Sequence, residues 1–294
     1  MKELVINMLE EFTYHTRKFS DPSKVLKKTF KKRVGYELNL QNPITFNEKL
    51  QWLKLYDHNS DYTKMVDKYE VRSYVTKTIG DEYLIPLLGV YEKFEDIDFC
   101  KLPNQFVMKC THDSGGLVIC KDKDKFDIKA AKKKIEKCLK RNYYYYSMEW
   151  PYKNGKPRIV CEKYMVDESG TELKDYKIFC FNGEPKLIQV DYNRFVNHKR
   201  NLYDIDWNYI DASLQKPNDS TIEITKPPKL NEMLKLAQKL SEQCPFARVD
   251  FYSIENRLYF GEITFYPGAG YEKFYPDELD LELGKCIRLP NKSE

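Results

Sequence analysis

The chain has 294 residues, of which 41% are hydrophobic and 14% aromatic, and this composition excludes an intrinsically disordered protein. Charged residues make up 32%, and the net charge of +4 is too small to indicate a protein that binds duplex nucleic acid. A local site for an anionic ligand is still compatible with that charge. The length allows one or two domains with a sizeable core.

The cysteines and the N-terminus set expectations about compartment. Eight cysteines are scattered without a CxxC pair, and only four histidines are present, which argues against a zinc site. Several cysteines lie within apolar strand-like runs, as buried free thiols do, and this favours a reducing cytoplasm. We expect no secretory leader, because the N-terminal pattern contains acids, and no stretch approaches membrane-spanning length.

Residues 2–33 are predicted to be helical, with an interruption at Ser20-Asp21-Pro22, where proline can start a second helix. The second part is rich in basic residues: Lys24, Lys27, Lys28, Lys31, Lys32 and Arg33. A solvated helix face is one interpretation. Weak attraction to an anionic membrane surface or a polysaccharide precursor is the other.

Two more helices are predicted before residue 80. Thr45 and Glu48 have the spacing of a capping box, and an apolar stripe follows them. Residues 67–78 form a further helix that ends at Gly80. Residues 83–91 are predicted to be extended, so the first ninety or so residues are mainly helical and strands dominate afterwards.

A glycine loop lies between two predicted strands. Residues 105–110 form a β-rich run that carries Lys109, the loop is Thr111-His112-Asp113-Ser114-Gly115-Gly116, and residues 117–120 resume a strand. Backbone N–H groups of such a loop can approach phosphate closely, because glycine has no Cβ. The loop lacks P-loop spacing. A purely structural Gly-Gly turn therefore stays open, as does an exposed His112 that touches phosphate or substrate.

The middle of the chain alternates helix, aromatic patch and strands. Residues 127–141 form an amphipathic helix with Ile128, Ala131, Ile135 and Leu139 inward. The tyrosines at 143–146 are either a sugar-stacking surface or packing between lobes. A strand at 158–165 and a hairpin with its turn at Asn182-Gly183 follow, with Asp175 and Lys177 on one strand face.

The end of the chain contains a loop-rich segment, two helices and a hairpin. Residues 198–228 are loop-rich, and their basic residues, with Arg194, form either a solvated basic loop or an anion site. Residues 228–242 and 276–286 are predicted helices. A hairpin at 248–264 places Glu262 and Thr264 on one strand face. If the register aligns Asp250 with them, and Arg248 beside it, three oxygen ligands meet in a set that suits Mg²⁺ held against nucleotide phosphates. Ordinary charges on a solvated hairpin face are the alternative.

The ordered set of motifs resembles the ATP-grasp superfamily and, more closely, the TupA-like ATP-grasp family, which is associated with teichuronopeptide and bacterial surface-polysaccharide synthesis. The resemblance runs from about Thr45 to the C-terminus. It is carried by FNEKLQW at 46–52, KCTHDSGG at 109–116, DYKIFCFNG at 175–183 and GEITFYPG at 261–268. The resemblance implies an α+β fold in which two lobes grip ATP between antiparallel sheets, after a mainly helical N-terminal region. The expected divisions are 1–92, 93–161 and 162–294.

The resemblance also implies roles for individual residues. Lys109 and Lys177 would contact the nucleotide phosphates from opposite lobes, with residues 111–116 as a lid. The hinge Glu162-Lys163-Tyr164-Met165 would hold adenine and ribose, with Asp175 beside it. Asp250, Glu262 and Thr264 would bind Mg²⁺, although many ATP-grasp enzymes have asparagine where this chain has Thr264. Arg248 would stabilise an acyl phosphate.

By the same resemblance, the leading hypothesis is a cytoplasmic ATP-dependent ligase. It would join an amino acid or small amine to a uronic acid or similar acid of a surface glycan, with ATP and Mg²⁺ as cofactors. Phosphoryl transfer activates a carboxylate as an acyl phosphate, and the protein contributes positioning and charge neutralisation. A sugar or alcohol kinase on the same scaffold is the first alternative. A nucleotide-binding partner of a glycan-assembly complex without turnover is the second.

Overall fold

The computed structural model describes residues 14–167, 173–193 and 197–292. Its main helices are α1 Pro22–Arg33, α2 Phe46–Tyr56, α3 Asp61–Val66, α4 Glu70–Thr78, α5 Ile128–Leu139, α6 Tyr144–Ser147, α7 Leu230–Ser241 and α8 Glu278–Cys286. The strands are β1 Leu87–Tyr91, β2 Phe106–Cys110, β3 Leu117–Cys120, β4 Ile159–Lys163, β5 Asp175–Phe181, β6 Glu184–Tyr192, β7 Lys199–Tyr203, β8 Tyr209–Ile210, β9 Ser213–Leu214, β10 Phe246–Ile254, β11 Arg257–Thr264 and β12 Phe274–Tyr275.

The N-terminal helices begin where their capping residues predict. The Asp21 carboxylate accepts a hydrogen bond from the Lys24 backbone N–H at 2.9 Å and caps α1, which confirms the interruption before Pro22. Thr45 and Glu48 form the predicted capping box of α2. The α1 lysines are exposed, as on a solvated helix face. Residues 2–13 of the predicted first helix lie outside the described residues.

The smaller sheet has four antiparallel strands in the order β1–β4–β2–β3. Alternate residues of β2 are buried, so Phe106, Met108 and Cys110 enter a core of their own against α5. Two of the residues predicted to face inward on α5, Ala131 and Ile135, are buried. The prediction for Ile128 is wrong, because its side chain is exposed at the first turn, while Cys138 is buried instead.

The larger sheet has six antiparallel strands in the order β11–β10–β5–β6–β7–β8. Both predicted hairpins are present in it. Asn182 and Gly183 have positive φ between β5 and β6, and Glu255 and Asn256 have positive φ between β10 and β11, as such tight turns require. Helix α7 buries its apolar side against β5, β6 and β10.

The helical N-terminal region shares its core with the larger sheet. The ring of Phe46 on α2 lies 4.9 Å from Phe246 and 5.8 Å from Phe274, measured between centroids. At the same end of α2, Asp280 of α8 accepts hydrogen bonds from the backbone N–H and the side-chain amide of Asn47, at 2.9 and 3.2 Å. These contacts fix α2 against the larger sheet and against α8.

The domain boundaries at residues 92 and 161 stay predictions. Strand β1, which lies before residue 92, pairs with β4 in the smaller sheet, and β4 itself continues to Lys163. None of the helices in the described residues has a stretch that is long and apolar enough to cross a membrane.

Candidate active site

A cavity of about 300 Å³, here called the central cavity, lies between the two sheets. The smaller sheet contributes Lys109 and Glu162 to its lining, and the larger sheet contributes Lys177, Asp250 and Glu262. Nearly all the polar side chains in the lining are charged, and cations come from both sheets. The cavity is therefore suited to an anionic ligand that touches both sheets at once.

The β10–β11 hairpin brings the predicted metal ligands onto one face. Asp250 is paired with Glu262, and Arg248 with Thr264, in the antiparallel register. Paired residues lie opposite each other and project to the same side of the sheet. The expected alignment of Asp250 with Glu262 and Thr264 is therefore present. Gly261 lets the strands approach here, because a Cβ on it would lie 3.1 Å from the Asp250 carbonyl oxygen.

Asp250 is the centre of an ion-pair network. Arg248 donates to it from Nε at 2.7 Å and from Nη2 at 2.8 Å, and Lys177 Nζ lies 2.6 Å from Oδ2. The Arg248 Nη2 atom also lies 3.1 Å from Glu262 Oε1. Asp250 is only 2% exposed, so its charge depends on these cations for stabilisation.

Glu262 differs from Asp250 because about half of its side chain, 47%, is exposed to the cleft between the lobes. Burial alone would raise its pKa, but the charges of Arg248, Lys177 and Lys68 outweigh burial and lower the pKa to about 2. The pKa of Arg248 is raised by its carboxylate partners against the effect of burial. Glu262 is thus ionised at neutral pH and accessible to a cation.

The residues predicted to bind Mg²⁺ have suitable oxygen ligands, but Asp250 is already engaged in ion pairs. Asp250, Glu262 and Thr264 supply hard oxygen ligands of the kind that Mg²⁺ prefers. Both Asp250 oxygens are already bound by Arg248 and Lys177, so a metal there would replace one of these cations. The described residues contain no group of three or more histidine, cysteine or acidic side chains that could hold a metal. A bound phosphate or water would therefore supply the remaining ligands of the ion.

On the opposite wall, Lys109 is paired with a carboxylate from the predicted hinge. Lys109 Nζ lies 2.7 Å from Glu162 Oε2, and Arg72 of α4 lies 3.4 Å from Glu162 Oε1. In the β2–β4 register Glu162 lies opposite Val107, so Lys109 and Glu162 are diagonal neighbours on one face of the sheet. Arg72 comes from the helical region. Arg72 was not predicted as a site residue, because no local pattern distinguishes it from other basic helix residues.

A second cavity of about 200 Å³, here called the hinge cavity, adjoins the first and also has Lys109, Glu162 and Asp175 in its lining. The predicted hinge residues Lys163, Tyr164 and Met165 lie along it. Its apolar lining is Ile85, Val107, Leu117, Ile119, Leu173 and the ring of Tyr252. Leu117 and Ile119 are 42% and 40% exposed, so an apolar, flat ligand group would cover side chains that now face solvent.

Only some residues of the glycine loop line the central cavity. Ser114 and Gly116 line the central cavity, and Ser114 and Gly115 are exposed. Thr111 and His112, the first two residues of the loop, are buried. His112 Nε2 lies 3.1 Å from the Arg141 carbonyl oxygen. The expectation of an exposed His112 is therefore wrong, and neither residue lines the cavity. Gly116 is required by packing, because a Cβ would lie 2.6 Å from Cys110 Sγ.

Lys68, just before α4, is a further cation of the site that was not predicted from the sequence. It lines the central cavity and donates to the Asp113 carbonyl oxygen at 2.7 Å, beneath the glycine loop. Its pKa is lowered chiefly by burial. The described residues provide no carboxylate within ion-pair distance of it. One lysine in a lysine-rich region carries no local signal of this role.

A third cavity of about 370 Å³, here called the lateral cavity, lies on the other side of Lys68, Ser114 and Glu262, which line both it and the central cavity. Its lining also includes Arg33, Glu149, Arg248 and Thr264 and the tyrosines Tyr143, Tyr152 and Tyr266. The predicted tyrosine patch thus lies partly in packing and partly on this cavity. Arg33, expected on a solvated face, borders the cavity as well.

Among the described basic residues near position 200, Arg200 and His198 are engaged in contacts within the protein rather than in a solvated loop or an open anion site. Arg200 is buried and donates to Asp191 at 2.8 Å and to Glu272 at 3.0 Å. His198 lies 3.0 Å from the same Asp191. These contacts already engage Arg200 and His198, and Arg194 lies outside the described residues.

Comparison with known proteins gives one family and several distant folds. The family model described as TupA-like ATPgrasp matches residues 48–288. No curated protein matches the sequence. Among solved structures, D-alanine–D-alanine ligase of Bacillus anthracis with ATP is similar at 16% identity and a TM-score of 0.41, over 69% of this chain and 54% of that one.

Two further solved structures have the same degree of similarity. The Helicobacter pylori D-alanine–D-alanine ligase has 15% identity and a TM-score of 0.38, over 76% of this chain and 61% of that one. The Thermotoga maritima phosphoribosylamine–glycine ligase has 13% identity and a TM-score of 0.40, over 69% and 48%. The chain thus spans between 48% and 61% of the length of these three proteins.

Proposed function

The chain belongs to the TupA-like ATP-grasp family, and from this premise we propose that it is an ATP-dependent carboxylate–amine ligase. The acid would be a uronic acid or similar acid, and the amine an amino acid or small amine, in bacterial surface-polysaccharide synthesis. An acid carried on a nucleotide- or lipid-linked glycan would react by the same chemistry. We also propose a reducing compartment such as the cytoplasm, supported by eight cysteines that are all free in the structure.

The observation that carries this proposal is that Lys109 and Lys177 line one cavity from opposite sheets, with Asp250 and Glu262 on its floor. A triphosphate is the common ligand that needs cations from two sides and carboxylates that accept a metal. The adjoining hinge cavity has the apolar lining that a purine ring fits. Asp175 and Glu162 line both cavities, and they would contact the ribose.

The chemistry assigned to the residues follows from their positions. Bound Mg²⁺ would neutralise phosphate charge, held by Glu262 and Asp250 with Thr264 beside them. Lys109 and Lys177 would orient the terminal phosphates, and Ser114 to Gly116 would cover them. Arg248 borders both carboxylates and the lateral cavity, so its guanidinium would stabilise the charge that develops on an acyl phosphate.

The test is a product analysis with the full-length chain. Mg-ATP is incubated with pairs from a panel of acids (D-glucuronate, D-galacturonate, succinate) and amines (L-glutamate, L-lysine, ethanolamine), and products are weighed by mass spectrometry. A ligase gives an amide together with ADP and phosphate. Hydroxylamine in place of the amine traps an acyl phosphate as a hydroxamate. A phosphorylated alcohol would show a kinase instead, and nucleotide binding without any product would contradict both activities.

A further inference from the structure

Glu149 is a buried carboxylate that faces the lateral cavity and has no role in the nucleotide site. Glu149 is 5% exposed, and it lines the cavity together with Arg248 and Lys68. Ser147 Oγ donates a hydrogen bond to Glu149 Oε1 at 2.5 Å. The hydrogen bonds of the described residues give its second oxygen no donor. A buried carboxylate with a free oxygen at a cavity wall calls for a donor from the ligand.

The nearest internal cation does not supply that donor. Lys54 of α2 is buried and donates its three N–H groups to Gln51 Oε1 at 3.1 Å and to the carbonyl oxygens of Ser147 and Ala269 at 3.0 and 2.7 Å. An ammonium group has three donors, so these bonds exhaust it. Burial raises the pKa of Glu149, and the charge of Lys54 opposes this effect through space while leaving the carboxylate oxygen available.

Aromatic rings surround the same carboxylate. Tyr143, Tyr152 and Tyr266 line the lateral cavity with it, and Lys54 Nζ already lies 5.6 Å from the centre of the Tyr266 ring. Carboxylates and tyrosine faces both favour an ammonium group over a neutral or anionic one. The remaining charged groups of the cavity are Arg33, Lys68, Arg248 and Glu262, of which Lys68 and Glu262 also line the central cavity.

The cavity is also correctly situated for a second substrate. Lys68, Ser114 and Glu262 line both the lateral and the central cavity, so a molecule beside Glu149 would be next to the proposed site of acid activation. Its volume of about 370 Å³ suits an amino acid or another small amine. The nucleophile would then approach from the side away from the nucleotide.

We propose that the lateral cavity is the amine site, and that Glu149 binds the ammonium group of the incoming amine and takes its proton. This proposal rests on the proposed ligase function. One proton passes from the ammonium nitrogen to the Glu149 carboxylate and frees the nitrogen lone pair. That pair forms the C–N bond at the carbonyl carbon of the acyl phosphate, and the C–O bond to phosphate breaks with its electron pair on the departing phosphate. The second nitrogen proton leaves to phosphate or solvent.

A binding experiment tests the site without any turnover. Ethanolamine, L-lysine and L-glutamate are titrated by calorimetry into the full-length chain loaded with Mg²⁺ and a non-hydrolysable ATP analogue. We expect at least one amine to bind the wild type, and Glu149→Gln to weaken that binding about 10-fold or more, as for the loss of a charged hydrogen-bond partner. Glu255→Gln, in the exposed β10–β11 turn, is the matched control and should bind as the wild type does. Absence of binding by every amine, or equal binding by Glu149→Gln, overturns the proposal.

A kinetic experiment separates the proton transfer from simple packing. With an amine that is charged at neutral pH, Glu149→Gln should lower the amide-forming rate by about 100-fold, the scale of general-base catalysis. With hydroxylamine, which is mostly unprotonated at neutral pH, hydroxamate formation should be unchanged. Raising the pH toward the pKa of the amine should narrow the difference between wild type and variant. An equal loss with both nucleophiles would show a structural effect and overturn the assignment.

Glu149→Asp, together with amine binding and hydroxamate formation as readouts, distinguishes failure of the amine site from failure of the ligase function. Because Glu149→Gln removes the charge beside buried Lys54, the aspartate variant keeps that charge and should retain part of the amine binding. Failure of wild-type hydroxamate formation with every acid of the panel contradicts the ligase function, whatever Glu149 does. Wild-type hydroxamate formation with no effect of Glu149 on amine binding contradicts only the amine site.

Discussion

Lys177 Nζ lies 2.6 Å from Asp250 Oδ2, and the two residues are paired on adjacent strands β5 and β10 of the larger sheet. A metal-bound nucleotide offers a cation to Asp250 and phosphate oxygens to Lys177. We therefore expect ligand binding to exchange this internal ion pair for two contacts with the ligand. The pair keeps both charges satisfied in the buried floor of the cavity until then.

The first prediction is that Mg-ATP stabilises the folded chain. A ligand that binds only the native state adds about 2.7 kcal/mol of unfolding free energy at a concentration 100 times its Kd. Differential scanning fluorimetry should therefore show a higher Tm with Mg-ATP, and a smaller increase with ATP in the presence of EDTA. An unchanged Tm at millimolar Mg-ATP would contradict nucleotide binding in the central cavity.

The second prediction concerns the two lysines on opposite sheets. Lys109→Met and Lys177→Met keep the apolar stem but remove the charge, so each should weaken ATP binding by about 1.5–3 kcal/mol, the value of a hydrogen bond to a charged group. Calorimetric titration measures this change. Lys186→Met, at an exposed position of β6, is the matched control. If both cleft variants bind ATP like the control, neither lysine contacts the nucleotide.

The third prediction separates Asp250 from Glu262. Glu262 is half exposed, so Glu262→Gln should leave the Tm nearly unchanged but reduce turnover more than ATP affinity, because charge neutralisation is needed most in the transition state. Asp250→Asn deprives buried Arg248 and Lys177 of their shared partner and should also destabilise the fold, by about 3–5 kcal/mol if the pair behaves as other buried pairs do. Urea unfolding and single-turnover kinetics measure the two effects. Full turnover in Glu262→Gln would exclude it as a metal ligand.

Thr264→Asn complements these variants at the third predicted oxygen ligand. Thr264 Oγ1 lies 3.2 Å from Glu262 Oε1 and 3.3 Å from Arg248 Nη2, so an amide oxygen in its place keeps an acceptor for Arg248. We expect this variant to retain turnover. A loss as large as that of Glu262→Gln would mean that the hydroxyl has a role that an amide cannot take over.

The fourth prediction concerns Lys68, which lies between the central and lateral cavities. Lys68→Met should lower the rate of hydroxamate formation while ATP binding falls less, because its ammonium is placed to meet the phosphoryl group as it moves toward the acid. Lys64→Met, an exposed lysine of neighbouring α3, is the control. Equal losses of nucleotide affinity and turnover would place Lys68 at the bound nucleotide only.

The fifth prediction is a pH dependence of stability at the α2–α8 contact. Burial raises the pKa of Asp280 to about 6, against the lowering effect of its hydrogen bonds from Asn47. At pH values between 3.8 and about 6, Asp280 therefore keeps its proton in the folded chain but has lost it in the unfolded chain. The protonated Asp280 contributes its full stabilisation of the fold below the unfolded pKa of 3.8, and this stabilisation disappears as the pH rises through about 6. The difference in unfolding free energy between wild type and Asp280→Asn should fall over that range. A constant difference from pH 4 to 7 would contradict the raised pKa.

Local pattern alone predicted the starts of α1 and α2 and the shared face of the β10–β11 hairpin, although it gave no sign of the short helix α3. Cap residues such as Asp21 and Thr45 predict helix starts because they satisfy backbone N–H groups within a few residues. Alternation in 248–264, with a turn at Glu255, predicts which side chains share a face, because neighbouring strand residues point to opposite sides. These interactions act over short distances along the chain, so they can be read from the sequence.

Only the tertiary structure decided which distant residues meet at the site. Lys68, Arg72 and Glu149 come from the helical region or from a connecting segment, and no spacing in the sequence relates them to Lys177 or Asp250. The same holds for His112, which is buried with its ring near the Arg141 carbonyl oxygen. Such placements arise from long-range packing of α2, α4 and the two sheets, and packing depends on shape complementarity between segments that a local pattern does not record.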